Sequence, residues 1–138
     1  MPEFSKISLE RLNTCHNDLQ LIFSEVVRLF DCSILEGHRS KDRQTMVFQK
    51  GLSKVEWPNS RHNSIPSMAA DVAPYPIIWD DEGRFYMFAG YVVCVAMRLL
   101  ETGAITHKLR YGGDWDSDTR TEDQRFDDLC HFELIPLV

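Results

Sequence analysis

The sequence SRHNSIPSMAADVAPY, residues 60–75, places one histidine and one aspartate on a short piece of chain. The residues around Asp71 are small or β-branched, and Pro74 and Pro76 follow them, which is typical of a strand that ends at the prolines. A carboxylate inside such a strand is costly unless it is paired or binds a metal. We therefore predict that a strand over 68–73 carries a functional carboxylate.

A second histidine in an apolar context lies near the C-terminus. His131 stands in the stretch 129–134, whose alternation of apolar and polar residues predicts a strand. Catalytic zinc takes imidazole and carboxylate ligands from three side chains and keeps a position for water. His62, Asp71 and His131 are therefore candidate ligands, the alternative being that they are exposed or satisfied within the core.

Helices and short strands of mixed order occupy the rest of the chain. The first helix is expected to begin at Ser8 as its N-cap, and the last, which is apolar nearly all round, to be buried on most faces. The mixed order, without a βαβ repeat, predicts an α+β fold in one domain spanning 1–138. The patterns predict helices over 9–30, 41–50 and 84–102, and strands over 32–37, 68–73, 108–111 and 129–134.

The composition limits the classes of partner. A formal net charge of −6 over 138 residues argues against nucleic acid or an anionic membrane surface as the main partner. The four cysteines form no Cys-x-x-Cys pair, which favours reduced thiols in a chain made in a cytoplasm. No signal-peptide pattern is seen at the N-terminus, and the apolar run 85–97 is too short to span a bilayer. We expect no membrane anchor and a monomer.

Several short motifs resemble those of the M15-type zinc peptidases. They are Ser60-x-His62, Ala69-x-Asp71 and Asp128-x-x-His131-x-Glu133, in this order. The usual motif of these peptidases is Ser-x-His-x-x-Gly-x-Ala-x-Asp, and the longer step from His62 to Asp71 resembles a subgroup of phage and prophage enzymes. The resemblance implies a small, mostly antiparallel sheet with flanking helices, as in Hedgehog and the D,D-peptidases. We expect the structure to differ most from the family pattern at Pro66 and Ser67.

The resemblance also implies roles for the metal ligands and the base. His62, Asp71 and His131 are the implied zinc ligands, and zinc supplies hydroxide at neutral pH and polarises a carbonyl. Asp128, three residues before the last histidine, is the implied general base. Asp127 and Glu133 compete for that role, and Glu133 has the strand parity to orient His131 instead.

Three further residues are implied at the substrate. The segment 37–40 matches the family's Gly-x-Arg segment, so Arg39 is the candidate oxyanion stabiliser, with a salt bridge to Asp42 or Glu36 as the alternative. Ser60 is a candidate substrate-binding residue or a cap of its loop. Gln44, in the helix that follows Arg39, is a further candidate for substrate binding.

Two other patterns suggest different chemistry. Asp114, Asp116 and Asp118 resemble the start of a calcium loop, but Thr119 replaces the expected glycine. A solvated acidic loop is the favoured interpretation, with Ca²⁺ as the alternative. Cys130 beside His131 suggests a cysteine peptidase, which is disfavoured because neighbouring strand residues point to opposite faces.

The function implied is hydrolysis of a peptide bond in the peptidoglycan stem peptide. We expect an L-alanyl-D-glutamate endopeptidase that acts as a phage lysis enzyme, made in the host cytoplasm and released to the cell wall through a holin. One alternative is a D,D-carboxypeptidase or dipeptidase on the same scaffold. The other is a catalytically inactive binding or structural module.

Overall fold

The computed structural model describes residues 1–122 and 128–137 and shows an α+β fold, which confirms the predicted class. Four strands form one antiparallel sheet in the order β1-β2-β4-β3, with helices against it. A short 3-10 turn, Arg61–Asn63, precedes β2. The elements are α1 Lys6–Leu12, α2 Asn17–Leu29, β1 Cys32–Glu36, α3 Lys41–Gln49, β2 Ala69–Pro74, α4 Glu82–Glu101, β3 Lys108–Tyr111 and β4 His131–Ile135.

The two faces of the sheet have different roles because side chains alternate along each strand. Val72, Phe132 and Leu134 belong to the hydrophobic core together with apolar residues of α2 and α4. Their neighbours in sequence point the other way. Asp71 pairs with His131 in the antiparallel register of β2 and β4, so these two polar side chains lie side by side on the opposite face.

The predicted first helix is in fact two helices, separated at residues 13–16. The backbone N–H of His16 donates to the Ser67 carbonyl at 2.8 Å, and the His16 ring accepts from Asp18 N–H and so caps α2. This contact, about fifty residues away in sequence, replaces the helical bonds that the periodicity predicts. Ser5, not Ser8, caps α1; the buried Ser8 hydroxyl accepts from Ile34 N–H of β1 instead.

The expectation for α4 is also wrong in part. Only one face is buried, with Phe88 and Val92 fully enclosed, whereas Met87 and Met97 are 63% and 66% exposed. By the test of length and composition alone, this 20-residue helix is long and apolar enough to cross a membrane. Core helices pass the same test, and this helix packs against the sheet and α2.

Candidate active site

Three ligand atoms converge on the polar face of the sheet. Asp71 Oδ1 lies 3.2 Å from His62 Nε2 and 3.2 Å from His131 Nδ1, and one ligand atom from each residue lies within 4.8 Å of the others. Two ligands each ~2.0–2.1 Å from one tetrahedral zinc ion are ~3.3 Å apart. His62, Asp71 and His131, called here the central group, therefore have the donor types and the spacing of a three-ligand metal site.

Local structure explains how His62 reaches the sheet. It lies in the 3-10 turn, where the Ser60 hydroxyl accepts from His62 N–H at 3.2 Å and Asn63 Oδ1 accepts from Ser60 N–H at 3.0 Å. This reciprocal capping box fixes the start of the turn. Met68 N–H donates to the Arg61 carbonyl at 3.0 Å and ties the end of the loop to the turn. Ser60 thus caps this turn, which is one of the two roles that its sequence context suggested.

The second nitrogen of each histidine is also held. His62 Nδ1 donates to the Gly37 carbonyl at 2.7 Å, which leaves Nε2 facing Asp71. His131 Nε2 lies 2.7 Å from Glu133 Oε1, which leaves Nδ1 facing Asp71. Carbonyl and carboxylate partners of this kind orient imidazole ligands toward a metal. The strand parity of Glu133 predicts that it can orient His131, and the contact between these two side chains is present.

The charges of the central group are strongly coupled. Burial by itself raises the pKa of Asp71, but hydrogen bonds from His131 and His62 outweigh it and hold that pKa well below its usual range. Burial lowers the pKa of His131, yet bonds to Asp71 and Glu133 raise it to about 9. Burial raises the pKa of Glu133, but the hydrogen bonds and charges of His131 and Arg110 outweigh it and lower that pKa to about 2. Without a metal, the group therefore holds a proton on His131 at neutral pH.

Asp128 is fixed beside the central group by its backbone. Its N–H donates to the Gly112 carbonyl at 2.9 Å, and its carbonyl accepts from His131 N–H at 3.1 Å. A Cβ at residue 112 would lie 2.2 Å from the Asp128 carbonyl oxygen, so this approach requires glycine. Burial, then the charge of Asp71, raises the pKa of Asp128. Its carboxylate therefore lies within the electrostatic field of the central group.

Cys130 lies in the turn before β4, not within the strand as the sequence predicted. Its thiol contacts Asp128 Oδ1 at 3.5 Å. Burial, with the charges of Asp71 and Asp128, raises the pKa of this thiol, which keeps it neutral. A cysteine peptidase needs a thiolate, so the environment disfavours that alternative. The rival base Asp127 lies outside the described residues.

Arg39 reaches the central group from the segment after β1. Its Nη2 lies 3.5 Å from Asp71 Oδ2 and 2.6 Å from Glu36 Oε1, so of the two partners expected from the sequence it is Glu36, not Asp42, that pairs with Arg39. Gln44 Oε1 accepts from Arg39 Nη1 at 3.0 Å. Gln44 is fully buried, and its amide also donates to the Val55 carbonyl. This placement favours a role for Gln44 in positioning Arg39.

Two other polar groups are separate from the central group. Asp114, Asp116 and Asp118 are close enough to hold an ion. The Asp114 carboxylate also accepts hydrogen bonds from the backbone N–H groups of Asp118 and Thr119, at 3.2 and 2.9 Å, within the same loop. The second group, His16, Asp18 and His107, was missed by the sequence reasoning. His107 is 89 positions from Asp18 in the chain, and no motif links it to His16 and Asp18.

Comparison with known proteins identifies the family. A family model described as phage L-alanyl-D-glutamate peptidase matches residues 2–135. The chain belongs to this family. A solved structure, the Serratia marcescens L-Ala D-Glu endopeptidase ChiX, is similar at 26% identity and a TM-score of 0.72, covering 97% of this chain and 91% of that one. No curated protein sequence matches.

Family and fold together establish the activity class. The phage L-alanyl-D-glutamate peptidase is a hydrolase that acts on peptidoglycan, which confirms the main functional interpretation of the sequence. The resemblance to M15-type peptidases is confirmed as well. In this peptidase the His–Asp–His donor set of the central group is compatible with a metal cofactor.

Proposed function

We propose that the peptidase binds one zinc ion through His62 Nε2, Asp71 and His131 Nδ1. The observation that carries this proposal is the pair of 3.2 Å distances from Asp71 Oδ1 to two imidazole nitrogens. Each histidine also has its remote nitrogen bound, by Gly37 and Glu133, as zinc ligands require. When bound, zinc would lower the pKa of its water to ~7 and polarise the scissile carbonyl.

Asp128 is proposed as the general base and then the general acid. Its carboxylate takes a proton from the attacking water and delivers it to the amine nitrogen that leaves with D-glutamate. Support comes from its position three residues before His131 and from the backbone bonds that hold it beside that residue. Glu133, the rival, is engaged by His131 and Arg110, which supports an orienting role for it.

Arg39 is proposed to stabilise the oxyanion that forms at the scissile carbonyl. Its guanidinium is buried and lies 3.5 Å from Asp71 Oδ2. Bonds to Glu36 and Gln44 hold the fork in place before substrate binds, and such preorganised donors contribute ~10²–10³ in kcat. Ser60 contributes indirectly through the capped turn that presents His62.

Removal and restoration of the metal tests the proposed cofactor. We expect a chelator to abolish cleavage of purified peptidoglycan and one equivalent of zinc to restore it. Mass analysis of the muropeptides should show new L-Ala carboxyl and D-Glu amino ends. Full activity after exhaustive chelation would contradict the zinc site, and loss of terminal D-Ala alone would contradict the endopeptidase assignment.

The same sample tests calcium at the acidic loop. Calcium added to the zinc-restored enzyme should change neither activity nor Tm, because Thr119 stands where a calcium loop needs glycine. A rise in either quantity would support a calcium site at Asp114, Asp116 and Asp118.

Zinc affinity is expected to depend on pH. Because the pKa of His131 is raised to about 9 in the metal-free site, zinc must displace a proton below that pH. Affinity should therefore rise about tenfold per pH unit between pH 6.5 and 8.5, as measured by competition with a chelator of known affinity. If the zinc affinity did not change with pH above pH 7, the pKa of His131 would not be raised.

The metal-free protein should show the opposite trend in stability. A raised histidine pKa stabilises the fold fully below the unfolded value of ~6.5, and this contribution is lost as the pH rises toward 9. The free energy of unfolding of the metal-free protein should therefore fall over that interval.

The description of the family supports a proposal for the place of action. We propose that the enzyme is made in the host cytoplasm and reaches the wall only after release, as the description of the family as a phage peptidase supports.

A further inference from the structure

Two arginines share one carboxylate oxygen beside the central group. Glu133 Oε2 lies 2.6 Å from Arg110 Nη2 and 3.0 Å from Arg61 Nε. The other oxygen of Glu133 is bound to His131. Both arginine side chains are about a third exposed, at 37% for Arg61 and 35% for Arg110, whereas Glu133 is buried. The cations therefore face solvent while their shared anion does not.

The sheet register places this pair next to the reacting centre. Arg110 pairs with Glu133 across β3 and β4, and Glu133 is two residues from His131 on the same face, a step of about 6.6 Å. The Arg110 guanidinium also lies over the Trp115 ring, whose centroid is 5.5 Å from that of His131. Arg61 directly precedes His62 in the 3-10 turn. Both arginines thus border the central group.

The charges at this position do not cancel. Two guanidinium groups carry two positive charges, and Glu133 supplies one negative charge that His131 also shares. The shortest contact of Arg61 with Glu133 is made by Nε, and no hydrogen bond of its two terminal nitrogens is found within residues 1–122 and 128–137. A guanidinium with two free terminal nitrogens can bind a carboxylate in a bidentate manner.

The L-Ala–D-Glu bond of the family's substrate has an anionic group close to it. Glutamate has two carboxyl groups, and only one of them can continue the peptide chain. The residue that follows the L-Ala–D-Glu bond therefore carries a free carboxylate a few bonds from the scissile carbonyl. We propose that Arg61 binds this D-glutamate carboxylate, with Arg110 adding positive charge and holding Glu133. The inference rests on the proposed catalytic centre at His62, Asp71 and His131.

The test compares two stem-peptide substrates that differ only at this carboxyl group. One carries the free carboxylate and the other the neutral carboxamide. We expect the wild-type zinc enzyme to prefer the carboxylate by about 10- to 100-fold in kcat/KM, since a hydrogen bond to a charged group is worth that much. Arg61→Gln should remove most of this preference by slowing cleavage of the carboxylate substrate alone. Arg61→Lys, which keeps the charge without the fork, should retain part of it.

Controls separate recognition from structure. Arg98→Gln removes an exposed arginine of α4, on the other side of the sheet, and should leave the preference unchanged. Zinc content and Tm are measured for every variant. Equal wild-type rates on both substrates, or an equal loss on both in folded, zinc-loaded Arg61→Gln, would overturn the carboxylate site while leaving the peptidase centre intact. Failure of the wild type to cleave either substrate would overturn the centre and the inference with it.

Discussion

Replacement of His131 by alanine should remove the bound zinc and lower kcat/KM on peptidoglycan by at least about 10³-fold. The substitution removes a proposed ligand, and the metal contribution to catalysis is worth several kcal/mol. It also leaves Asp71 and Glu133 without the imidazole that they share. Metal analysis of the purified variant, together with a muropeptide assay, measures both effects.

His16→Ala is the matched control for this prediction. His16 belongs to the second group, with Asp18 and His107, and its ring caps α2. Loss of a cap costs about 1 kcal/mol of stability but should leave the zinc content and kcat/KM unchanged. If His16→Ala lost zinc and His131→Ala kept it, the metal would have to bind at the second group, and the proposed centre would be refuted.

Asp128→Asn should lower kcat by about 10²- to 10⁴-fold while zinc stays bound. Asparagine has nearly the same shape, and the backbone bonds of residue 128 to Gly112 and His131 remain possible. The amide, however, cannot accept a proton from the attacking water or deliver one to the leaving amine, and proton transfer contributes this range of rate. The kinetic constants and the zinc content of one preparation are sufficient to test it.

Asp80→Asn provides the comparison for Asp128→Asn. Asp80 is exposed in the turn before α4, so the same change of one charge there should not alter kcat. If Asp128→Asn keeps wild-type kcat, the base must be another group. Glu133→Gln would then be the next variant, and it would be expected to reduce kcat instead of zinc affinity.

The strands of the active site were predictable because burial limits what their sequences can be. Asp71 lies among small and β-branched residues, where an unpaired charge is costly, and the strand that carries it is present as β2. His131 lies in an alternating stretch that is present as β4. The family motifs then made His62 and Asp128 candidates without any structural information.

Long-range contacts explain the predictions that were wrong. The helical pattern of residues 9–30 continues through the break at 13–16, yet Ser67 binds the His16 backbone and ends the first helix there. The apolar face of α4 that remains exposed was counted as buried because hydrophobicity alone does not say how many neighbours a helix has. Periodicity reports local preference, and tertiary contacts can override it.

By itself, the sequence determined the α+β class, the family and the identity of the candidate ligands, because those depend on residue type and order along the chain. Only the tertiary structure decided which atoms meet. The β2–β4 register places Asp71 against His131, and this contact joins residues 60 positions apart. The β3–β4 register likewise pairs Arg110 with Glu133, and the 3-10 turn places Arg61 against the same carboxylate. Such pairings arise from the folding of distant segments onto one sheet face, for which the spacing of residues in the sequence carries no signal.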